Sequence, residues 1–264
     1  MSKTTFLETG YLSDQLQADL RDIRKANAEW FALIEDIAAC LQQTAAKACD
    51  TVAGTPFEPS PLGLLVLHRA NGLIQGAILL LERGMVVEAK TLIRSLLECA
   101  FVLAGLHDKP EAVKDMLIED MDAAKKGQAK ALLKMGAGKD TKALEDRLKE
   151  FGKVRNLSID ELAELGVLKH LYVYYRVLSN DAVHPSGKSL RRHMNVADDG
   201  ESWGGYRFGP GTDNEIAEAA YLMFLIGVPV GVAFQQMIGD KENNARIGEI
   251  IERSKKLVAT MKGA

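Results

Sequence analysis

Hydrophobic and polar positions alternate with a helical period along nearly the whole chain. An amphipathic stretch from about Ser13 to Cys49 is broken by TVAGTPFEPSP. A second helix is predicted from Leu62 to Arg83, with Gly84 as its stop, and a third, more apolar one from Met85 to His107. Pro110 suits the first turn of a fourth helix reaching about Met135, and its Lys, Asp and Ala content marks a peripheral position. GAGKD separates it from the charged TKALEDRLKEFG, so 110–160 reads as the most exposed and mobile part. Ser158 and Glu161 have capping-box spacing, which predicts a short helix after them. The next helix is expected from Val167 to His184, halted by Pro185, since the residue before proline disfavours the α region.

Between Leu190 and Pro210 the periodicity fails, and a DDG turn signal there predicts a small β-hairpin or ordered loop. Its Trp203, Tyr206 and Phe208 carry enough apolar surface to suggest that it folds over a polar face of the bundle. Helices resume at Thr212, an expected N-cap, and break once more at Gly239–Asp240. The pattern predicts an all-α bundle with one small hairpin or ordered loop near 190–210. Its divisions are a long N-terminal helix and linker over 1–60, a bundle core over 61–240 and a C-terminal helix over 241–264.

Composition narrows the function classes. At 264 residues, 47% hydrophobic and 26% charged, the chain can bury a large core. A net charge of −3 argues against a generally basic surface for duplex DNA. The run AAYLMFLIGVPVGVAF, Ala219 to Phe234, is uncharged but short for a membrane span and interrupted by Pro229, so a buried central helix is expected. The N-terminal MSKTTFLETGYLSDQ has no export-signal core, and a cytoplasmic protein without a membrane partner is expected. Cys40, Cys49 and Cys99 are too scattered for a disulfide framework, and Cys99 reads as a buried thiol. With no GxxxxGK[ST], GxGxxG, HExxH, CxxC or GxSxG pattern, no cofactor and no metal are expected.

Candidate chemistry concentrates in YYRVLSNDAVHPSG, Tyr174 to Gly187. On an α-helical wheel Leu168, Leu171, Tyr175, Leu178 and Ala182 form the core stripe, and Arg176, Asn180 and His184 follow each other on another arc. Arginine supplies a permanent cation and histidine a group titrating near neutrality, the pair that stabilises a phosphate and moves a proton. The plain alternative is a solvated helix face with a terminal histidine covering orphan carbonyls. Ser179 and Arg191 add to the polar density nearby. Arg94 and Glu98, at i and i+4 on an otherwise apolar helix, are either an ion pair stitching that helix to a neighbour or part of the same pocket, with Glu98 orienting His184.

GMVVEAKTLIRSLLECAFVLAGL, followed by YYRVLSNDAVHPSG, resembles a bacterial family of helical proteins of unknown function, over roughly Leu62 to Gln236. The pieces RSLLE and YRVLSNDAVHPS carry the resemblance, which implies no established activity. More remotely, a four-helix core with a late Arg…His pair is similar to the HEPN superfamily of nucleotide-binding proteins and metal-independent ribonucleases, many of them toxins or phage-defence effectors. That resemblance implies a homodimer acting on RNA or a nucleotide, with a possible antitoxin or defence partner. His184 would be its general acid/base, Arg176 its phosphate-stabilising cation and Asn180 an accompanying polar residue. Seven residues separate Arg176 from His184, a wider spacing than in that superfamily, and a proline follows the histidine. The alternative class is a non-catalytic helical module binding a partner or ligand through the same face.

Overall fold

The computed structural model describes residues 3–136, 141–183, 185–200, 202–239 and 242–261. Among the described residues the fold is all-α with a single two-stranded hairpin. The helices are α1 (Phe6–Thr9), α2 (Asp14–Ala26), α3 (Ala28–Cys49), α4 (Pro59–Glu82), α5 (Val86–Asp108), α6 (Pro110–Lys134), α7 (Thr141–Glu150), α8 (Ile159–Glu164), α9 (Tyr172–Leu178), α10 (Gly187–Arg191), α11 (Asp213–Ile238) and α12 (Glu242–Met261). Strands β1 (Met194–Val196) and β2 (Trp203–Tyr206) pair antiparallel between α10 and α11.

Helix α5 is buried over most of its circumference, as its near-continuous Leu, Ala, Ile and Val content requires, and packs against α4 and α11. Helix α3 completes a four-helix core against α4 and α11, with α12 laid on α3. Phe31, Phe101 and Phe234 meet the core from α3, α5 and α11 and are almost completely buried, each contributing roughly 1.5–3 kcal/mol of burial. Peripheral α7 has no buried residue, in keeping with its charged sequence.

Local signals set most boundaries. Thr212 accepts from the Glu215 amide while Glu215 takes the Thr212 amide, a reciprocal cap for α11. Gly239 ends that helix in the left-handed region that glycine tolerates. Helices α4 and α11 are both long and apolar enough to cross a membrane, but 56% of the apolar window of α11 is buried inside the bundle. Gly84, at φ 67°, lets the α4–α5 turn touch the chain after the hairpin, where a Cβ would stand 2.4 Å from the Pro210 Cβ.

Three expectations are corrected. The stretch Ser13–Cys49 is two helices, because the buried Asn27 amide donates to the Ile23 carbonyl and to Asp213 of α11, competing with the helical ladder. Helix α8 starts after Ser158, but no capping box forms: the Ser158 hydroxyl turns to Asp160 and Glu161 pairs with Arg155. Val167–His184 is not one α-helix. It comprises a 3₁₀ turn (Lys169–Leu171), α9 and a π turn over Ser179–Val183.

Candidate functional site

Arg94 and Glu98 project from α5 toward α9 and the π turn. The Arg94 guanidinium uses each of its nitrogens differently: Nε donates to the Ser179 hydroxyl at 2.9 Å, Nη2 to the Tyr175 hydroxyl, and Nη1 lies 3.0 Å from Glu98 Oε1. Its plane also sits over the Tyr175 ring, 4.6 Å from the centroid. The Tyr175 hydroxyl in turn donates to Glu98, closing a triangle of charge-assisted bonds. The charge of Arg69 on α4 is also felt by Glu98 and by the Cys99 thiol.

Burial governs the proton affinities here. It pushes the Glu98 carboxyl above its ordinary value, against the opposing charges of Arg94 and Arg69 and the Tyr175 hydrogen bond. It likewise raises the Tyr175 hydroxyl, with Arg94 opposing and Glu98 adding to the effect. The Cys99 thiol is pushed up to about 11 by burial, which leaves it a packing residue and not a nucleophile.

The same network explains the π turn. Ser179 returns its hydroxyl to the Tyr175 carbonyl at 2.7 Å, and Thr91 of α5 donates to the Ala182 carbonyl at 3.1 Å. A carbonyl engaged by a neighbouring helix is withdrawn from ordinary i→i+4 pairing, and the wider turn accommodates this. The 100° phase assumed from Arg176 onward therefore does not hold through Ser179–Val183.

The remaining candidates divide between two places. Arg176 is exposed, and its charge is felt by Asp160 of α8. Asn180 is exposed at the start of the π turn, its carbonyl accepting from the Ser186 hydroxyl at 2.6 Å. His184 lies outside the described residues. Arg94, Glu98, Tyr175 and Ser179 are thus brought together, while Arg176 and Asn180 stand on the solvent side of the same element.

Arg191 belongs to a separate open groove of about 790 Å³, which it lines with Leu190, His193, Met194, Trp203 and Tyr206. Helix α10 links the two places through Ser186 and through an ion pair of Lys188 with Asp181 at 2.6 Å. The expectation that the hairpin buries its aromatics over the polar face is not met: Trp203, Tyr206 and Phe208 are 55%, 70% and 72% exposed. The hairpin is instead bolted from behind, Arg192 and Arg207 both pairing with Glu215 of α11. Among the described residues no three His, Cys, Asp or Glu side chains converge as a metal site.

The family of unknown function DUF5677 matches residues 62–202, which span α4 through the start of the hairpin and so contain both the Arg94 network and YYRVLSNDAVHPSG. The chain belongs to this family. No curated protein and no solved structure matches the chain. The family segment includes two of the four core helices, α4 from Leu62 onward and α5, while α3 and α11, which complete their packing, lie outside it. Within the family segment, reading the sequence missed Arg69, the Thr91–Ala182 bond and the π turn. Thr91 and Ser179, hydroxyls on largely apolar helices, were the available signal for the latter two.

Proposed function

We propose that the chain is a metal-independent, HEPN-like ribonuclease acting as a homodimer in a bacterial toxin or phage-defence system. The observation that carries this reading is the brace that Arg94 and Thr91 apply to a π turn directly beneath exposed Arg176 and Asn180. A π turn held by half-buried polar bonds from a neighbouring helix is a rare way to finish a helix. It is the kind of preorganisation expected where side-chain geometry matters to a reaction.

In this reading His184 removes the ribose 2′-hydroxyl proton. The 2′-oxygen then forms a bond to phosphorus as the bond to the 5′-oxygen breaks, and the leaving 5′-oxygen takes its proton from water. Arg176 neutralises charge on the non-bridging oxygens and Asn180 supplies a further donor. Arg94, Glu98, Tyr175 and Ser179 are positioning residues that do not touch the RNA. A second copy of the chain supplies the opposite wall of the site.

The test is cleavage of an end-labelled single-stranded RNA in EDTA by the wild type, His184→Ala and Arg176→Lys. Cleavage by the wild type alone is expected, because a lysine cannot reproduce the guanidinium fork. Intact RNA with all three proteins refutes the nuclease reading and favours a non-catalytic binding module. The closed Arg94–Tyr175–Glu98 triangle speaks for that second reading, since it leaves those groups satisfied among themselves.

A further inference from the structure

The hairpin is built to display aromatic rings, and its register shows how. In a regular strand Trp203 and Tyr206, an odd number of positions apart, would face opposite ways. Here Val196 pairs with Trp203 and Asn195 with Gly205, so Gly204 is an extra residue, a β-bulge. A side chain is crowded there: a Cβ at Gly204 would stand 3.0 Å from the Ala197 nitrogen and the Val196 carbonyl carbon. Past the bulge the phase is inverted, and Trp203 and Tyr206 share a face with ring centroids 4.7 Å apart; Phe208 follows 6.0 Å beyond Tyr206. Trp203 and Tyr206 meet edge to face, at 81°, so the contact covers one face of one ring and leaves the other flat faces open.

The charge beside these rings is selective. Arg192 and Arg207 are held by Glu215, and Lys188 by Asp181, whereas Arg191 has no ion pair among the described residues. Arg191 and the exposed His193 line the groove together with Trp203 and Tyr206, and among the described residues no carboxylate lines it. Asp199 of the hairpin turn is engaged within the turn itself, accepting from the Ser202 amide at 2.7 Å. Flat rings flanked by a guanidinium without an ion pair and by an imidazole match a polymer with flat bases and anionic phosphates. The groove is open to solvent and leads by way of α10 to the π turn, which suits a strand running through it more than an enclosed mononucleotide.

We propose that this groove binds single-stranded polynucleotide, Trp203 and Tyr206 stacking its bases while Arg191 and His193 hold its phosphates. The proposal rests on the ribonuclease reading only for the identity of the natural polymer as RNA. Duplexes are excluded because their bases are already stacked and hidden.

The experiment measures anisotropy of a fluorescein-labelled ten-residue oligothymidylate DNA, which has no 2′-hydroxyl and so reports binding apart from cleavage. The wild type should bind the single strand, more weakly as salt rises, and should prefer it to a duplex of equal length. Trp203→Ala should weaken binding by about 5- to 100-fold, Trp203→Phe should retain most of it, and Arg191→Glu should weaken it and flatten the salt dependence. Emission of Trp203 should be quenched by the oligonucleotide, whereas Trp30, 7% exposed, should be shielded. Unchanged melting of Trp203→Ala, expected for an exposed hairpin residue, secures the comparison. No binding, binding indifferent to Trp203→Ala, or protection of Trp203 by self-association at rising protein concentration overturns the proposal. Oligonucleotide binding lost in Trp203→Ala, with RNA left intact by the wild type, overturns the ribonuclease reading and leaves the groove standing.

Discussion

Arg94→Gln removes the one cation that joins Ser179, Tyr175 and Glu98, and its cost follows from what stays behind. Losing one partner of a fully buried ion pair costs roughly 3–5 kcal/mol. Arg94 and Glu98 are 20% and 28% exposed, so solvent relieves part of this and about 2–3 kcal/mol is expected. For a chain of this length that corresponds to a fall of roughly 4–10 °C in Tm. The penalty should also depend on pH. Burial already holds the Glu98 carboxyl above its ordinary value against Arg94, Arg69 and Tyr175, and deleting Arg94 removes the largest opposing influence. A carboxyl raised in the folded state binds more protons there than in the unfolded chain, so stability increases as pH falls through its folded value. Urea titrations followed by circular dichroism should therefore show a smaller penalty at pH 5 than at pH 7. Adding Glu98→Gln should recover about half of the loss, whereas Arg94→Lys should recover little because it lacks the Nε–H that reaches Ser179. A penalty below about 1 kcal/mol at pH 7, or one that does not change with pH, would refute the account of the brace.

Glu215 carries the opposite sign. Burial tends to raise its carboxyl, but the Thr212 amide together with Arg192 and Arg207 outweighs it and holds the group below its ordinary value, so its stabilisation is present at neutral pH and lost as pH falls through the folded value. Glu215→Gln should accelerate amide hydrogen exchange in 194–206 at pH 7, and exchange equal to the wild type would show that the hairpin is held by other contacts. Gly204→Ala, forced against the Val196–Ala197 backbone, should cost the hairpin about 1–3 kcal/mol and remove the near-ultraviolet circular dichroism of the Trp203–Tyr206 contact, with little change in global melting. An unaltered spectrum would contradict the bulge. Of Cys40, Cys49 and Cys99, only the exposed Cys49 should react rapidly with Ellman's reagent in the native protein, and a second fast thiol would contradict the burial of the others.

The elements that could be read from the chain are those whose causes are local. Thr212 with Glu215, Gly239 and Pro110 act within a turn of themselves, and the helices they bound lie where the punctuation puts them. The stretch after Val167 could not be read in the same way, because the choice between an α and a π turn is made by Thr91 and Arg94, remote in sequence. The two kinds of candidate residue differ for a related reason. A charge on an apolar helix is legible as a demand: desolvation obliges Arg94 and Glu98 to find partners, so their engagement with a neighbouring helix could be expected even though Tyr175 and Ser179 could not be singled out as the partners. An exposed ring makes no such demand. The spacing of a regular strand would put Trp203 and Tyr206 on opposite faces, and the Gly204 bulge puts them side by side next to Arg191. The backbone close approach that requires Gly204 is invisible in a run reading WGGY, yet two adjacent glycines inside a strand are the trace it leaves. Of the two regions, the buried network therefore follows from energetics that any sequence must obey, and the surface groove from a backbone irregularity that stability alone does not require.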